Sequence, residues 1–371
     1  MENTKVKNTL IDGSKIITES LVRSGADVFI GYPITPSNLF YSYGQKRFPS
    51  FYAAPDEITV LQWMSGLSTT GKLPVTATAF PGLALMVESL NMAFMMELPM
   101  VIIIVQRMGP STGSATTGAQ GDLSILNGII SGGFTLPVFS PSDFVDGWEL
   151  AHKCVKTAVE FRTPVVMLTS KEMVMTNKSF DISQLGEIER VDRSTKEYDG
   201  EYKPYVMTDD LVPPFVPVGD KTRQVRVNSS THDMMGAIKS PNPESLGNTI
   251  RLRDKFEKRI DELVEYDLDK EEGADQLIVS WGISVDATRD AVNIYRSRGN
   301  KVSFLIVKTL LPVAQEIIDI MESYKELVFV EENISGQLKE IIFGKRPYKH
   351  IKQVNKIGSM IAPDEILKEL A

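Results

Sequence analysis

Buried-looking strands and helix-spaced apolar stripes alternate over the first half of the chain. SKIITESLVRS (14–24) predicts a helix stopped by Gly25, and DVFIGYP (27–33) a buried strand running into a Pro-rich loop. EITVLQWMSGLSTTG (57–71) predicts a helix, VTATAF (75–80) a strand and GLALMVESLNMAFMME (82–97) another helix. PMVIIIVQ (99–106) is a continuous β-branched run, as expected of a central parallel strand covered on both faces. A polar loop over 107–121, a helix, the strand LPVFS (136–140), the helix FVDGWELAHKCVKTAVEF (144–161) and the strand PVVMLTS (164–170) follow. Such β–α alternation predicts a doubly wound parallel sheet of the α/β class.

The texture changes after residue 180, where YKPYV, LVPPFVPVGD and KSPNPES are rich in proline and poor in apolar runs. RLRDKFEKRIDELVEYDL (251–268) predicts a charged helix leading into a second α/β unit. There QLIVSWG, KVSFLIVKTL and ELVFVEEN read as strands, with VDATRDAVNIYRSRG and AQEIIDIMESY as helices between them. The expected organisation is a first domain over 1–180, a connecting segment with a charged helix over 181–272, and a smaller domain over 273–371.

Composition narrows the function. The 371 residues are 42% hydrophobic and 24% charged, enough for two separate cores, and the formal charge of −8 without any Lys/Arg run argues against nucleic acid or an anionic membrane as partner. No apolar stretch approaches the roughly 18 residues of a membrane span. The opening MENTKVKNTL lacks a secretory leader's apolar centre, so the chain reads as cytoplasmic. The single cysteine, Cys154, excludes a disulfide or a Cys-built zinc or iron–sulfur site within this chain. His152, His232 and His350 are scattered without metal spacing, so no metal site is expected here.

One phosphate-loop-like spacing is a false lead. Gly66 to Lys72 matches it, but Leu73 follows where a hydroxyl is required, and the order is helix then strand rather than the reverse. More informative is Gly31-Tyr-Pro-Ile-Thr-Pro-Ser-Asn38, directly after a buried strand: two prolines set the backbone and Thr35 and Ser37 offer hydroxyls. It suits a rigid ligand loop or, equally, a helix entry capped by Ser37 or Thr35. Glu57 opens an apolar helix, where Asp56 and Glu57 could simply complement the positive helix end. Arg107 closes the VIIIV strand beside a loop dense in Gly, Ser and Thr, which suits either a solvated side chain or a fixed guanidinium that takes a carboxylate or phosphate.

Taken together, GYPITPSN, DEI at a helix start, PGLALMVESLNMA, ELPMVIIIVQRMGPSTG, AQGD, THDMMG (231–236), IRLRDKFEKRI, VSWGIS and VEENISGQL resemble the alpha subunits of 2-oxoacid:ferredoxin oxidoreductases, especially the 2-oxoglutarate and branched-chain members. The likeness spans nearly the whole chain in order. It implies a thiamine-diphosphate pyrimidine-binding first domain and a transketolase-C-terminal-like last domain. By resemblance, Glu57 falls on the glutamate that hydrogen-bonds the pyrimidine nitrogen, Arg107 on the arginine for the 2-oxoacid carboxylate, and Thr35 on the threonine beside the substrate. Pro33 and Ile34 of the same turn fall among the cofactor contacts. A carboxyl at that ring nitrogen serves proton transfer on the cofactor.

The resemblance also implies what the chain lacks. No GDG with a following asparagine is present, so the diphosphate and its Mg²⁺ are expected on a beta subunit that also carries a [4Fe-4S] cluster. Gamma and ferredoxin-like delta subunits are further candidate partners, with ferredoxin as electron acceptor and coenzyme A as acyl acceptor. The chain departs from the family's pattern at NLFYSYGQ, where an acidic helix start is expected, and at TAFPG, which replaces a serine–glycine run. The order of expected substrates is 2-oxoglutarate, a branched-chain 2-oxoacid, then pyruvate. The alternatives are a non-catalytic relative of the same fold and a decarboxylase that uses no ferredoxin.

Overall fold

The computed structural model describes residues 7–194 and 201–370; residues 1–6, where a leader's absence is expected, 195–200 of the connection and 371 lie outside the described residues. In the first half, β1 (Asn8–Ile11) and α1 (Gly13–Ser24) precede β2 (Val28–Gly31), α2 (Asn38–Arg47), β3 (Ser50–Ala53) and α3 (Glu57–Thr69). Then come β4 (Pro74–Thr78), α4 (Phe80–Met95), β5 (Met100–Gln106), α5 (Leu123–Asn127), β6 (Val138–Phe139), α6 (Phe144–Glu160), β7 (Pro164–Ser170), α7 (Lys171–Met175) and β8 (Lys178–Asp181). After the connection stand α8 (Pro243–Glu257), β9 (Tyr266–Asp269), β10 (Gln276–Ser280), α9 (Val285–Ser297), β11 (Ser303–Val307) and β12 (Thr309–Leu311). The chain closes with α10 (Gln315–Glu322), β13 (Glu326–Glu331), α11 (Gln337–Phe343), β14 (Ile351–Asn355) and α12 (Pro363–Leu370).

The expected α/β class is observed. A seven-stranded sheet has the order β12-β6-β7-β5-β4-β2-β3, and a five-stranded sheet the order β14-β13-β10-β11-β9. β5 lies between β4 and β7, parallel to both, and every residue of it is buried, which accounts for its unbroken apolar run. Alternation along β10 divides the second sheet's two faces: Leu277, Val279 and Trp281 enter the large core continuous with the first sheet, whereas Ile278 faces a smaller core with Val285 and Ile366. No helix of the described residues is long and apolar enough to cross a membrane.

Two expectations are corrected. The helix expected over 251–268 begins instead at Pro243, set by a capping box between Asn242 and Ser245, and gives way to β9 at Tyr266. Its charged appearance conceals a buried face. Arg251 and Lys255 both reach Glu97, at 2.9 and 3.0 Å, and Arg251 also holds Asn248, whose amide meets His232 Nε2 at 2.7 Å. Burial alone would raise the Glu97 carboxyl, but the two cations hold it well below the usual carboxylate range. The THDMMG segment is thereby locked to the end of α4.

The strand expected over 301–310 divides at Lys308. β11 stays in the second sheet, while β12 crosses to pair antiparallel with β6 at the edge of the first. Lys308 is held at the crossing, its ammonium 2.6 Å from Asp146 and 2.7 Å from Asp267, and its carbonyl accepts from Ser140 N at 2.8 Å. A hydrophobicity pattern cannot register this change of sheet, because both parts are equally buried.

Candidate active site

The carboxyl ends of parallel strands in an open sheet leave a crevice where adjacent loops diverge. Here β2 empties into Tyr32-Pro33-Ile34-Thr35-Pro36, with a cis Thr35–Pro36 bond. Pro33 is exposed, while Ile34 and Thr35 are half-buried. Ser37 occupies the N-cap position of α2 but makes no side-chain cap; its hydroxyl donates to Ile34 O at 2.8 Å and ties the turn to itself. Asn38 Nδ2 donates to Thr35 Oγ1 at 3.1 Å. The turn is therefore braced from both sides of Thr35, and the helix-entry alternative accounts for only part of its construction.

Asp56 and Glu57 have separate tasks. Asp56 caps α3 by accepting from Thr59 N at 2.7 Å, so the helix end is already satisfied without Glu57. The Glu57 side chain is 6% exposed and turns against the first turn of α4. A side-chain carbon at Gly82 would come within 2.1 Å of Thr78 Oγ1 and 2.8 Å of Glu57 Oε1, so only glycine leaves room for the carboxyl there. Glu57 thus lies in the first turn of α3 with its carboxyl packed into a glycine-floored slot.

Arg107, 7% exposed, extends from the end of β5 and donates from Nη1 to Thr35 O at 2.6 Å. That bond brings the two loop ends together and excludes the solvated alternative. Its Nε is enclosed without a hydrogen-bond partner, as is Oδ2 of Asp122. Burial pushes the Asp122 carboxyl up to about 7, against the opposing pull of Arg107. Sequence reasoning assigned no role to Asp122, Gly82 or Gln120; a lone Asp after a Gln-Gly pair in a polar loop carries no periodic signal.

The loop that bears Asp122 is fastened by the second half of the chain. Gln120 Nε2 donates to Trp281 O at 2.6 Å, its Oε1 accepts from Glu332 N at 2.7 Å, and its own amide donates to Glu332 O at 2.8 Å. Behind it, the fully buried Glu331 accepts from Trp281 Nε1 at 3.2 Å, Asn333 Nδ2 at 2.9 Å and Leu338 N at 3.0 Å. Three motifs far apart in sequence, AQGD, VSWGIS and VEENISGQL, are in this way one clasp.

The remaining candidates stand apart from this site. His152 accepts or donates at 3.0 Å to Ser24, and burial lowers its pKa. Burial pushes the Cys154 thiol far up, which leaves it inert. The Gly66–Lys72 stretch spans the end of α3 and the turn before β4, in the order that disqualifies a phosphate loop. Among the described residues no group of three or more His, Cys, Asp or Glu side chains is arranged to hold a metal.

Comparison with known proteins identifies the family. Residues 19–251 match the family described as "Pyruvate flavodoxin/ferredoxin oxidoreductase, thiamine diP-bdg", and residues 274–365 match "Pyruvate:ferredoxin oxidoreductase core domain II". The chain is 30% identical to 2-oxoglutarate synthase subunit KorA of Methanothermobacter marburgensis, covering 97% of each chain. It is 27% identical to the 2-oxoacid:ferredoxin oxidoreductase subunit alpha of Saccharolobus solfataricus, covering 96% of this chain and 60% of that one. Among solved structures, 2-oxoglutarate:ferredoxin oxidoreductase from Magnetococcus marinus, with 2-oxoglutarate, coenzyme A and succinyl-CoA bound, is similar with a TM-score of 0.89 and 26% identity; the match covers 98% of this chain and 64% of that one. The chain accordingly belongs to the pyruvate flavodoxin/ferredoxin oxidoreductase family, as an oxidoreductase subunit of the 2-oxoacid:ferredoxin alpha type with a thiamine-diphosphate-binding domain.

Proposed function

We propose that this chain supplies the pyrimidine-side half of a thiamine-diphosphate site for oxidative decarboxylation of 2-oxoglutarate, with coenzyme A as acyl acceptor and ferredoxin as electron acceptor. The observation that carries the proposal is Arg107, at the end of β5, anchored on the Thr35 carbonyl after β2 at 2.6 Å, with the buried Glu57 carboxyl packed beside Gly82 and Thr78 at the end of β4, the strand between them. A buried carboxyl in a glycine-floored slot suits a ring nitrogen that must be held and protonated, so this half of the cofactor fits. The diphosphate half does not, since no GDG motif is present in the chain.

When bound, thiamine diphosphate supplies the nucleophilic carbon and the electron sink. Glu57 would hold and share the proton at the pyrimidine nitrogen, with Pro33 and Ile34 as neighbouring cofactor contacts. Arg107 would orient the 2-oxoacid by its carboxylate, and Thr35 would line the same position. A beta subunit in the cytoplasm would provide Mg²⁺, the diphosphate contacts and a [4Fe-4S] cluster, with gamma and delta subunits as further members of the assembly. Exposed Leu85 and Met92, seven residues apart on one stripe of α4, support a protein partner on this side.

The test is co-purification with the beta subunit, followed by a panel of 2-oxoacids with coenzyme A and a low-potential acceptor. Turnover of 2-oxoglutarate by the complex and none by the isolated chain is expected. Turnover by the chain alone, with thiamine diphosphate and Mg²⁺ added, would refute a shared site. Preference for a branched-chain acid or pyruvate would overturn the substrate assignment.

A further inference from the structure

Nε of Arg107 and Oδ2 of Asp122 carry opposite formal charge, sit at the same strand end, and are both enclosed without a hydrogen-bond partner. They are kept close by backbone: the Asp122 amide donates at 3.2 Å to the side chain of Gln106, the residue before Arg107. Among the described residues no direct hydrogen bond or ion pair joins the two side chains, although Arg107 is the charged group that acts on Asp122. A buried carboxyl that faces no donor is more stable neutral than ionised. The clasp around Gln120 fixes this separation from the other side, because Gln120 cannot shift without breaking its contacts to Trp281 and Glu332.

The surroundings leave few other charges to consider. The loop from 108 to 121 and α5 carry none. Glu331 and Glu332 lie across Gln120, Glu172 accepts from Gly118 N at 3.2 Å, and Lys339 on α11, which packs against α5, is engaged by the carbonyls of Gly344 and Arg346. Of these, Glu332 also titrates near neutrality, pushed up to about 7 by burial.

We propose that Asp122 is a positioning residue for Arg107: as a neutral acid it leaves the guanidinium's charge undivided for a 2-oxoacid carboxylate, and once ionised it competes with that carboxylate. The proposal rests on the assignment of Arg107 to the substrate. A bound carboxylate disfavours a second negative charge beside it, so saturating substrate keeps Asp122 protonated. Rising pH therefore weakens substrate binding and leaves turnover at saturation unchanged.

The experiment measures KM and kcat for the 2-oxoacid from pH 6 to 9 in the reconstituted complex. In the wild type, KM is expected to rise by about tenfold per pH unit above the Asp122 pKa, with little change in kcat from this group. Asp122→Asn should flatten that rise and keep the low-pH KM throughout; Asp122→Ser, also neutral, serves should the amide disturb assembly. Independently of turnover, the infrared difference between wild type and Asp122→Asn near pH 6 should contain the band of one protonated carboxyl. Glu332→Gln should retain the wild-type slope. An unchanged slope in both neutral variants, a KM raised equally at every pH, a missing carboxyl band, or a slope abolished by Glu332→Gln would each overturn the proposal. Arg107→Ala separates the two levels: a raised KM there with an unchanged slope in Asp122→Asn removes only the role of Asp122, whereas an unchanged KM removes the assignment of Arg107 beneath it.

Discussion

Arg107 Nη1 and the carbonyl oxygen of Thr35 meet at 2.6 Å and join the end of β5 to the Pro-rich turn after β2. The bond restrains the guanidinium by contacts within the chain itself. An arginine so held loses little further freedom on binding a carboxylate, and its planar fork can face the ligand with the remaining N–H groups.

Lysine cannot reproduce this arrangement, since its ammonium is one point of charge and cannot serve Thr35 and a carboxylate in fixed geometry together. Arg107→Lys should therefore lower kcat/KM for the 2-oxoacid in the assembled complex, corresponding to a loss on the order of 1.5–3 kcal/mol in transition-state binding, with cofactor affinity largely retained. Steady-state kinetics beside a thiamine diphosphate titration checks this. Unaltered kcat/KM would take Arg107 out of the substrate site.

Glu57→Gln keeps the shape of the side chain and removes its proton. Exchange of the cofactor's C2 hydrogen in the reconstituted complex should fall by roughly 10²–10⁴-fold. Because Asp56 already caps α3, the accompanying stability change should stay within about 1 kcal/mol. Wild-type exchange in the variant would reduce Glu57 to a helix-terminal charge.

Gly82→Ala tests the same carboxyl from the opposite side. Alanine is favoured over glycine in a helix by about 1 kcal/mol, but here its methyl would collide with Thr78 Oγ1 and Glu57 Oε1. The expected result is a displaced Glu57, with cofactor affinity and C2 exchange both reduced in a complex that still assembles. A variant with normal exchange would show that the slot has room the geometry denies it.

Arg251→Met removes the bidentate partner of the buried Glu97, leaving it paired with Lys255 and acted on by Arg162, and should destabilise the chain by about 3–5 kcal/mol. The sign with pH follows from the depressed folded pKa of Glu97. Its contribution is complete above the unfolded carboxylate value of 4.5 and is lost as pH falls through the folded one. Urea unfolding across the acid range should show a steeper loss in the wild type than in Glu97→Gln, and equal slopes would contradict the assignment.

Much of this protein is determined by sequence alone. The unbroken apolar run of β5 marks a strand covered on both faces, and the alternation of such runs with helix-spaced stripes marks the α/β class; both follow from periodicity, which is local. Motif order along the chain likewise points to the family, since it is read directly from residue identities. What tertiary structure alone decides is non-local. β11 and β12 are one apolar run divided between two sheets at Lys308 by ion pairs to Asp146 and Asp267. The charged face of α8 is buried because Glu97, over 150 residues earlier in the chain, supplies its counter-charge. Gln120, Asp122 and Gly82 look like ordinary polar or small residues in sequence, and their importance comes from what surrounds them. Whether a carboxyl is charged or neutral, and whether a glycine can be replaced, depends on atoms that the fold brings near, which no pattern along the chain encodes.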